Sequence, residues 1–310
     1  FPTWTGISGY RSPYSGKYEV WVAGNGNQLE RWQFGRTWVP FPPDNYPSMD
    51  KVLAIDYNNI WAVGRYGRVF HWQESKWNAV GFGHRESIRA LWVARSRNTQ
   101  QAEQIWSGGG GCSLLWGISL TAASVFERQT SDWVRASWSL TDTSWGCVRG
   151  GWSNNKGEMW TVGAMQRNGS QEIEATINHY NEELNTWAQE TLPEKRGALF
   201  SVWGTEQMVM AVGTMGTIVK RQDKTWQIER SPTNEHLFGI WGSAENDIWA
   251  VGNNGTILRR TENLGGYAWH SMPSPAAGRA LYGIWGIGSN DIWVVGQDGL
   301  ILHWDGSNWR

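Results

Sequence analysis

One stretch of this chain is repeated, and the repeat limits the folds that the chain can adopt. It runs from Leu237 to Gly252 as LFGIWGSAENDIWAVG and returns from Leu281 to Gly296 as LYGIWGIGSNDIWVVG. A third copy, LFSVWGTEQMVMAVG, spans Leu199 to Gly213. Each copy is followed by a turn that contains glycine, by a second apolar strand and by a closing tryptophan. Self-similarity of this kind indicates an architecture built from stacked copies of one supersecondary unit.

The glycine that ends the second strand of each unit gives the period. It recurs at Gly24, Gly64, Gly109, Gly163, Gly213, Gly252 and Gly296, at intervals of 40, 45, 54, 50, 39 and 44 residues. Units of this length with several short strands are typical of propeller blades. We therefore predict an all-β fold, a seven-bladed β-propeller with four antiparallel strands per blade and insertions in blades 3 and 4. The predicted single domain covers 1–310, with blades at about 4–45, 46–86, 87–140, 141–193, 194–233, 234–277 and 278–310.

The strands of a unit have different expected places. The glycine-rich first strand is predicted to be innermost, where backbones approach closely. The second strand is apolar on both faces, as expected between neighbouring blades. Asn25-Gly26, Asn254-Gly255 and Asp298-Gly299 predict tight hairpins in which glycine has a positive φ. Blade 7 stops at Arg310, so residues 1–4 are expected to supply its missing outer strand or to extend the seam.

Bulk composition excludes some classes of function. Lys and Arg (27) nearly balance Asp and Glu (28), so the overall charge gives no reason to expect a nucleic-acid partner. No run of apolar residues is long enough for a transmembrane segment. Most of the 25 tryptophans recur at equivalent places in the repeat, which indicates packing between blades.

Two sets of polar residues recur in the repeat and are candidate chemical sites. His71, His179 and His303 occupy equivalent places on third strands, where a polar strand position is favoured over a metal site. Carboxylates precede the second strand in three blades, where a turn residue bonding local backbone is favoured over a cation-binding ring in the channel. They are Glu158, Asp247 and Asp291. No cofactor and no catalytic residue is predicted.

A basic cluster stands near the start of blade 3. An anionic ligand could use it, but a solvated surface is the favoured interpretation. Its members are Arg85, Arg89, Arg95 and Arg97.

The repeated pattern DIWAVGxxGTI…HWDGxxW resembles the Trp-rich propeller repeats of secreted bacterial proteins. It is similar to tectonin-type repeats, which occur in lectins that bind sugars or lipopolysaccharide. The resemblance covers the whole chain as a repeat pattern. It implies an extracytoplasmic protein (secreted, periplasmic or on the cell surface) whose ligand is a carbohydrate or glycoconjugate.

Candidate ligand-binding residues lie where the repeat is interrupted, because long insertions on a rigid scaffold often carry function. Trp116, Trp138 and Trp145 lie in the insertions of blades 3 and 4, where they would stack on a sugar or simply pin the insertions down. Their predicted polar partners are Arg95, Arg97 and Arg167. Cys112 and Cys147 lie in the same region, and a disulfide between them is an alternative to buried free thiols.

Three functions follow from this pattern. The first is a non-catalytic module that recognises a carbohydrate or glycoconjugate. The second is a scaffold for protein–protein interaction, because aromatic and Arg residues also suit an interface. The third is a glycoside hydrolase or lyase, which requires two carboxylates across a cleft. Its candidates are Glu86, Glu127, Glu172 and Glu174, and no spacing selects a pair.

Overall fold

The computed structural model describes residues 2–25, 28–33, 37–40, 49–81, 83, 87–94, 104–110, 124–129, 132–135, 144–167, 170, 172–194, 197–263 and 266–310. Within this part of the chain, twenty-seven strands form seven antiparallel sheets. Blades 1 to 4 contain β1 Trp4–Arg11, β2 Tyr18–Gly24, β3 Gln28–Gln33, β4 Thr37–Pro40; β5 Met49–Asp56, β6 Asn59–Gly64, β7 Val69–Gln73, β8 Lys76–Val80; β9 Ile88–Ala94, β10 Gln104–Gly109, β11 Ser124–Gln129, β12 Asp132–Arg135; β13 Ser144–Ser153, β14 Met159–Arg167, β15 Ile173–Asn181 and β16 Thr186–Gln189. Blades 5 to 7 contain β17 Leu199–Gly204, β18 Val209–Gly213, β19 Ile218–Gln222, β20 Thr225–Ile228; β21 Leu237–Ala244, β22 Asp247–Gly252, β23 Ile257–Asn263, β24 Gly266–Ser271; β25 Leu281–Gly288, β26 Asp291–Gly296 and β27 Ile301–Trp304.

Each sheet takes its strands in chain order, so each blade is one contiguous piece of sequence. The seven first strands, from β1 to β25, contact one another in a closed ring and therefore surround a central channel. Six sheets have four strands, and blade 7 has three followed by the start of a fourth at Trp309 and Arg310. The predicted seven-bladed propeller is confirmed. Among the described residues, no helix is long and apolar enough to span a membrane.

The ring closes between blades 7 and 1 without exchange of a strand. Residues 1–4 are expected to supply the missing outer strand of blade 7 or to extend the seam, and the structure places Trp4 at the start of the innermost strand of blade 1. Closure comes from packing: the rings of Trp32 and Trp293 lie 5.5 Å apart, and the N–H of Gly299 donates to the carbonyl of Pro2. These contacts pack the facing sides of blades 7 and 1 against each other.

Burial along the strands follows the repeat. The second strands are buried on both faces, and β22 and β18 are buried at every position. Tight turns follow them, and both Asn254 (φ 53°) and Gly255 (φ 71°) have the positive φ that such a turn requires. The same holds for Asp298 (φ 56°) and Gly299 (φ 74°), so these two predicted hairpins are confirmed; Gly26 lies outside the described residues.

Tryptophans of the second strands pack across the gap between blades. The ring of Trp21 in blade 1 lies 6.1 Å from that of Trp72 and 5.9 Å from that of Trp77, both in blade 2. The same contact recurs between Trp61 and Trp133, Trp106 and Trp187, Trp249 and Trp309, and Trp293 and Trp32. Each contact buries large apolar rings against a neighbouring blade, as predicted for the recurring tryptophans.

Tryptophans of the first strands pack instead on glycines of the next blade. A Cβ atom placed on Gly286 of blade 7 would lie 2.6 Å from the ring of Trp241 in blade 6, so only glycine fits there. The other pairs are Trp92 with Gly151, Trp152 with Gly204, Trp203 with Gly242, and Trp285 with Gly9. Blade 1 has Ser8 in place of the tryptophan, and its partner in blade 2 is Ala54, whose N–H donates to Ser8 Oγ.

Glutamates after two of the fourth strands hold the next blade. Glu190 follows β16 and accepts hydrogen bonds from the guanidinium of Arg221 and the indole of Trp226 in blade 5. One blade later, Glu229 holds Arg260 and Trp269 in the same way. Met272 takes this place after β24, and it packs in a cluster with Trp304, which replaces the arginine in blade 7. Of these three successive junctions, the first two are therefore charged and the third is apolar.

The insertion of blade 4 lengthens its strands. β13, β14 and β15 continue beyond Gly163, where the second strand ends in other blades, and remain paired as far as Arg167. We call the side of the ring on which first strands begin and second strands end the upper face, and these extensions project from it. Cys147 on β13 is buried, bridges to Gly110 of blade 3 and is disulfide-bonded. The chain's other cysteine, Cys112, lies outside the described residues, so its pairing with Cys147 stays a prediction.

Candidate functional site

A ring of β-bulges surrounds the upper end of the channel. In every blade, the pairing of the first strand with the second skips one residue near the start of the first strand. A bulge of this type turns a side chain away from the regular pleat. The seven skipped residues are Thr5, Asp50, Arg89, Arg149, Phe200, Phe238 and Tyr282, and all line one cavity of about 140 Å³, together with Lys51 and Arg65. We call this cavity the channel mouth.

Aromatic side chains occupy one side of the channel mouth. The rings of Phe200 and Phe238 lie 5.3 Å apart, and those of Phe238 and Tyr282 lie 5.1 Å apart, so blades 5, 6 and 7 present a continuous aromatic arc. Burial raises the pKa of Tyr282, with a smaller contribution from Asp298, so the phenol is neutral near pH 7. This arc can pack against an apolar or aromatic group.

Cationic side chains occupy the other side, on blades 2, 3 and 4. Lys51, Arg65, Arg89 and Arg149 line it, with Asp50 as the one carboxylate among the described lining residues. A guanidinium nitrogen of Arg89 lies 3.7 Å from Asp50, and Lys51 Nζ donates to the carbonyl of Thr5. The whole chain has a net charge of −1, so the positive charge of this arc is a local feature.

We call these four residues the basic arc, and burial makes the charged forms of two of them less favourable. It lowers the pKa of Lys51, and it lowers the pKa of Arg149 to about 10, with a further contribution from the like charge of Arg89. The Nε atoms of Arg89 and Arg149 are buried without a hydrogen-bond partner. The guanidinium of Arg149 lies 5.1 Å from the ring of Phe200, where the two arcs meet. A cation in this state is stabilised by an anionic group that enters the mouth.

The residues predicted to bind a ligand are described only in part. Trp116, Trp138, Arg95 and Arg97 lie outside the described residues, as does Cys112. The backbone register places Trp145 opposite Gln166 and places Arg167 opposite Ser144, on the extensions of β13 and β14. Trp145 and Arg167 thus belong to neighbouring strands at the upper face, and their role stays a prediction.

Arg89, a member of the predicted basic cluster, does not lie on the solvated surface that the sequence favoured. Arg89 was assigned to a solvated surface, but its side chain is only 21% exposed and lines the channel mouth. The bulge accounts for the difference, because it directs the side chain towards the channel. Arg85, Arg95 and Arg97 lie outside the described residues.

The three histidines belong to a repeated side-chain network. In blade 2, Asn59 Oδ1 accepts from Trp61 Nε1 at 2.7 Å and from His71 Nε2 at 3.0 Å, and the His71 ring stacks on Trp61 at 3.9 Å. Burial lowers the pKa of His71 to about 4, with a contribution from Arg128. Blade 7 repeats the network with Asp291, Trp293 and His303, and blade 6 with Asp247, Trp249 and Arg259.

This network corrects the expected role of the carboxylates. Asp247 was expected to bond local backbone amides, but it accepts from the side chains of Ser243, Trp249 and Arg259. His179 likewise lies between Glu158 (3.6 Å) and Glu190 (3.4 Å). These groups hold second strands to third strands. Of the carboxylates considered for glycoside hydrolysis, Glu127 is on β11 and Glu174 is on β15, in different blades, Glu172 directly precedes β15, and Glu86 lies outside the described residues.

Sequence reasoning did not find the channel mouth, although a signal was present. Thr5, Asp50, Arg89, Arg149, Phe200, Phe238 and Tyr282 form one column of the repeat. That column varies from Asp and Arg to Phe and Tyr, whereas the residue before each of them is apolar. Variation at a single column of a regular repeat indicates a surface with a role other than packing.

Comparisons with known proteins agree with the fold. No protein-family model matches the chain, and no curated protein matches it in sequence. Among solved structures, it is similar to YCF48 bound to a D1 peptide (TM-score 0.67, 16% identity, 98% of this chain and 91% of that chain). It is also similar to YCF48 from Cyanidioschyzon merolae (TM-score 0.67, 13% identity, 99% and 97%) and to the WD40 β-propeller domain of Doa1 (0.68, 12%, 97% and 91%). At these identities the likeness concerns the propeller fold.

Proposed function

We propose that this chain is a non-catalytic scaffold that docks a peptide segment of a partner protein at the channel mouth. The segment presents a carboxylate to the basic arc and an apolar or aromatic side chain to the aromatic arc. The observation that carries the proposal is the half-buried Arg149 side chain, whose buried Nε has no hydrogen-bond partner and whose guanidinium lies against Phe200. A charged group kept partly out of water without a counter-ion costs stability, and a ligand carboxylate offsets that cost.

Two further facts support a peptide as the occupant. A peptide supplies a carboxylate and an apolar side chain within one or two residues, which matches two arcs that meet at Arg149 and Phe200. A propeller of similar fold, YCF48, has been solved with a D1 peptide bound. We propose an extracytoplasmic location for the chain, supported by the disulfide bond of Cys147, because structural disulfides persist in oxidising compartments.

Carbohydrate or glycoconjugate recognition is the second candidate. It is supported by the backbone register that brings Trp145 and Arg167 to neighbouring strands at the upper face. Stacking of a sugar on an indole beside a polar group would use such a pair. A glycan-array hit that is lost on Trp145→Ala and kept on Arg149→Gln would favour this candidate.

The proposal is tested with hexapeptide arrays in three forms, with varied apolar residues in each. The first has a free terminal carboxylate and no acidic side chain, the second is amidated and contains one Asp or Glu, and the third is amidated and has no acid. We expect binding to the first or second form, which distinguishes a terminal carboxylate from a side chain. Arg149→Gln is expected to weaken binding by about ten- to a hundred-fold, as for loss of a charge-assisted hydrogen bond.

The matched control is Lys224→Gln, which removes the same charge from an exposed turn between β19 and β20. It is expected to bind as the unaltered chain does. Equal binding of the acid-free peptides, no binding of any form, or full binding by Arg149→Gln would each overturn the proposal.

A further inference from the structure

A second cavity, of about 230 Å³, opens beside the channel mouth between blades 4 and 5. Its apolar lining consists of Ala175, Leu192, Leu199, Met215, Ile218, Val219 and Ile228. The rest of its lining is polar or small and consists of Glu194, Gly216, Thr217, Glu229, Arg230, Ser231, Thr233 and Asn234. The apolar part of this lining can enclose one large aliphatic side chain.

This blade cavity is adjacent to the channel mouth. Leu199 lines the blade cavity and Phe200, the next residue of β17, lines the channel mouth. The bulge turns the Phe200 side chain towards the channel and away from Leu199, so one strand separates the two spaces. An extended peptide advances about 3.3 Å per residue, so two or three residues span about 7–10 Å, enough to pass from one side of a strand to the other.

Met215 lines the blade cavity and has a backbone conformation that is unfavourable for its side chain. Its φ is 50°, a region that side chains other than Asn, Asp and Gly rarely adopt, and its side chain is 71% exposed. The equivalent residues are Tyr66 in blade 2 (φ 60°), Asn254 in blade 6 and Asp298 in blade 7, and of these three only Asn254 and Asp298 tolerate this region. Strain of this kind persists where the side chain has another role.

A hydrogen bond connects this turn to the aromatic arc. The backbone N–H of Met215 donates to Nδ1 of His236 at 3.0 Å. The His236 ring lies 6.2 Å from that of Phe238 and 6.4 Å from that of Phe200. The turn that carries Met215 is therefore fixed relative to the channel mouth.

We propose that the blade cavity is a second subsite for the same peptide, and that it binds an aliphatic side chain two or three residues from the carboxylate. This inference rests on the proposed function and adds a sequence preference to it. The basic arc takes the carboxylate, the aromatic arc takes the nearest side chain, and Met215 and Ile228 enclose the aliphatic one. Recognition then depends on spacing, because both subsites are parts of rigid blades.

The probe is a set of fluorescein-labelled hexapeptides that end in Phe with a free carboxylate. A single Leu is moved from the second to the fifth position from the end on a Gly-Ser background, and fluorescence polarisation gives Kd. We expect Leu at the third or fourth position to bind about ten-fold or more tightly than Gly there, as for burial of one aliphatic side chain. Leu at the other positions is expected to have little effect.

Met215→Asn removes the apolar side chain and places a residue that tolerates the turn, so its Tm should be kept or raised. It is expected to abolish the preference for Leu while the Leu-free peptide binds as before, and Ile228→Thr should reduce the same preference. Leu184→Asn is the control, because this exposed leucine lies on the turn between β15 and β16, outside the cavity.

Two failures are distinguishable. If binding requires Arg149 but ignores the position of Leu, or if Met215→Asn keeps the preference, the second subsite is refuted and the proposed function remains. If no peptide of this series and none of the three arrayed forms binds, or if Arg149→Gln binds all of them, the proposed function fails and this inference fails with it.

Discussion

Arg149 is proposed to bind the ligand, and in the unbound protein the same residue lowers stability. Its guanidinium is largely withdrawn from water and packs on Phe200, and its Nε makes no hydrogen bond. Arg259 has the opposite situation, because Asp247 accepts from its guanidinium at 2.8 and 2.9 Å. A partly buried charge without a partner lowers stability. Removal of a paired charge lowers stability too, because its carboxylate partner is left without a counter-ion. The difference predicts opposite effects of one substitution at the two sites.

Arg149→Met is expected to raise the free energy of unfolding by about 1–2 kcal/mol, because an apolar side chain of similar length replaces an unpaired cation. Arg259→Met is expected to lower it by a similar amount, because Asp247 loses its counter-ion. Denaturant unfolding monitored by tryptophan fluorescence measures both. Destabilisation by Arg149→Met would show that the guanidinium contributes to folding rather than to ligand binding alone.

First strands fit together through pairs that are offset by one blade. Each Trp-Gly dipeptide in the repeat reads as a local unit, yet Trp241 packs on Gly286 of the next blade and Gly242 receives Trp203 of the previous one. Where the tryptophan is absent, as at Ser8, the glycine is absent from the facing strand, which has Ala54. The requirement for glycine therefore comes from close approach and depends on the neighbour's side chain.

Gly286→Ala is expected to cost about 1–3 kcal/mol, because the added methyl group overlaps the ring of Trp241. Gly288→Ala on the same strand is the control, since a Cβ there meets nothing within 4 Å. The double variant Trp241→Leu, Gly286→Ala is expected to lose less stability than the two single variants lose together. The difference is expected to be about 0.5 kcal/mol or more. Urea unfolding of the four proteins measures this coupling. Additive effects would mean that the pair does not determine the fit.

The whole ring depends on junctions between blades, and two of the described junctions use half-buried carboxylates, Glu190 and Glu229. Burial by itself raises the pKa of Glu190, but hydrogen bonds from His179, Arg221 and Trp226 outweigh it and lower the pKa to about 2. In the unfolded chain the same carboxyl has a pKa near 4.5. The ionised form therefore stabilises the fold above pH 4.5, and this contribution is lost as the pH falls from about 4.5 to 2.

Between pH 6 and pH 2, we expect the free energy of unfolding to fall by about 2–3 kcal/mol more for the unaltered protein than for Glu190→Gln. The pKa shift of Glu190 alone accounts for this difference. Glu190→Gln should be less stable than the unaltered protein at pH 6 and should approach it at pH 2. Glu172→Gln, at an exposed position, should follow the unaltered protein throughout. Chemical unfolding at each pH measures these differences. Parallel pH profiles for all three proteins would show that this junction does not titrate as described.

Much of the architecture was predictable from the sequence. Blade number, strand order, the buried second strands and the turns at Asn254 and Asp298 follow from period and turn chemistry. The role of the N-terminal segment did not, because pairing of the first and last blades is a long-range contact. The candidate site was predicted at the insertions because their tryptophans break the repeat. Arg149 and Phe200 were missed because they stand inside regular strands.

The sequence by itself determined the propeller, because a repeated pattern of apolar strands and glycine turns allows one way of burying every second strand. Only the tertiary structure decided which residues face the channel. A bulge turns one side chain per blade towards the axis, and ring closure brings Arg149, Phe200 and Tyr282 from three different blades to one cavity. Bulge position and closure depend on the contacts of neighbouring blades, and residues far apart in sequence supply those contacts.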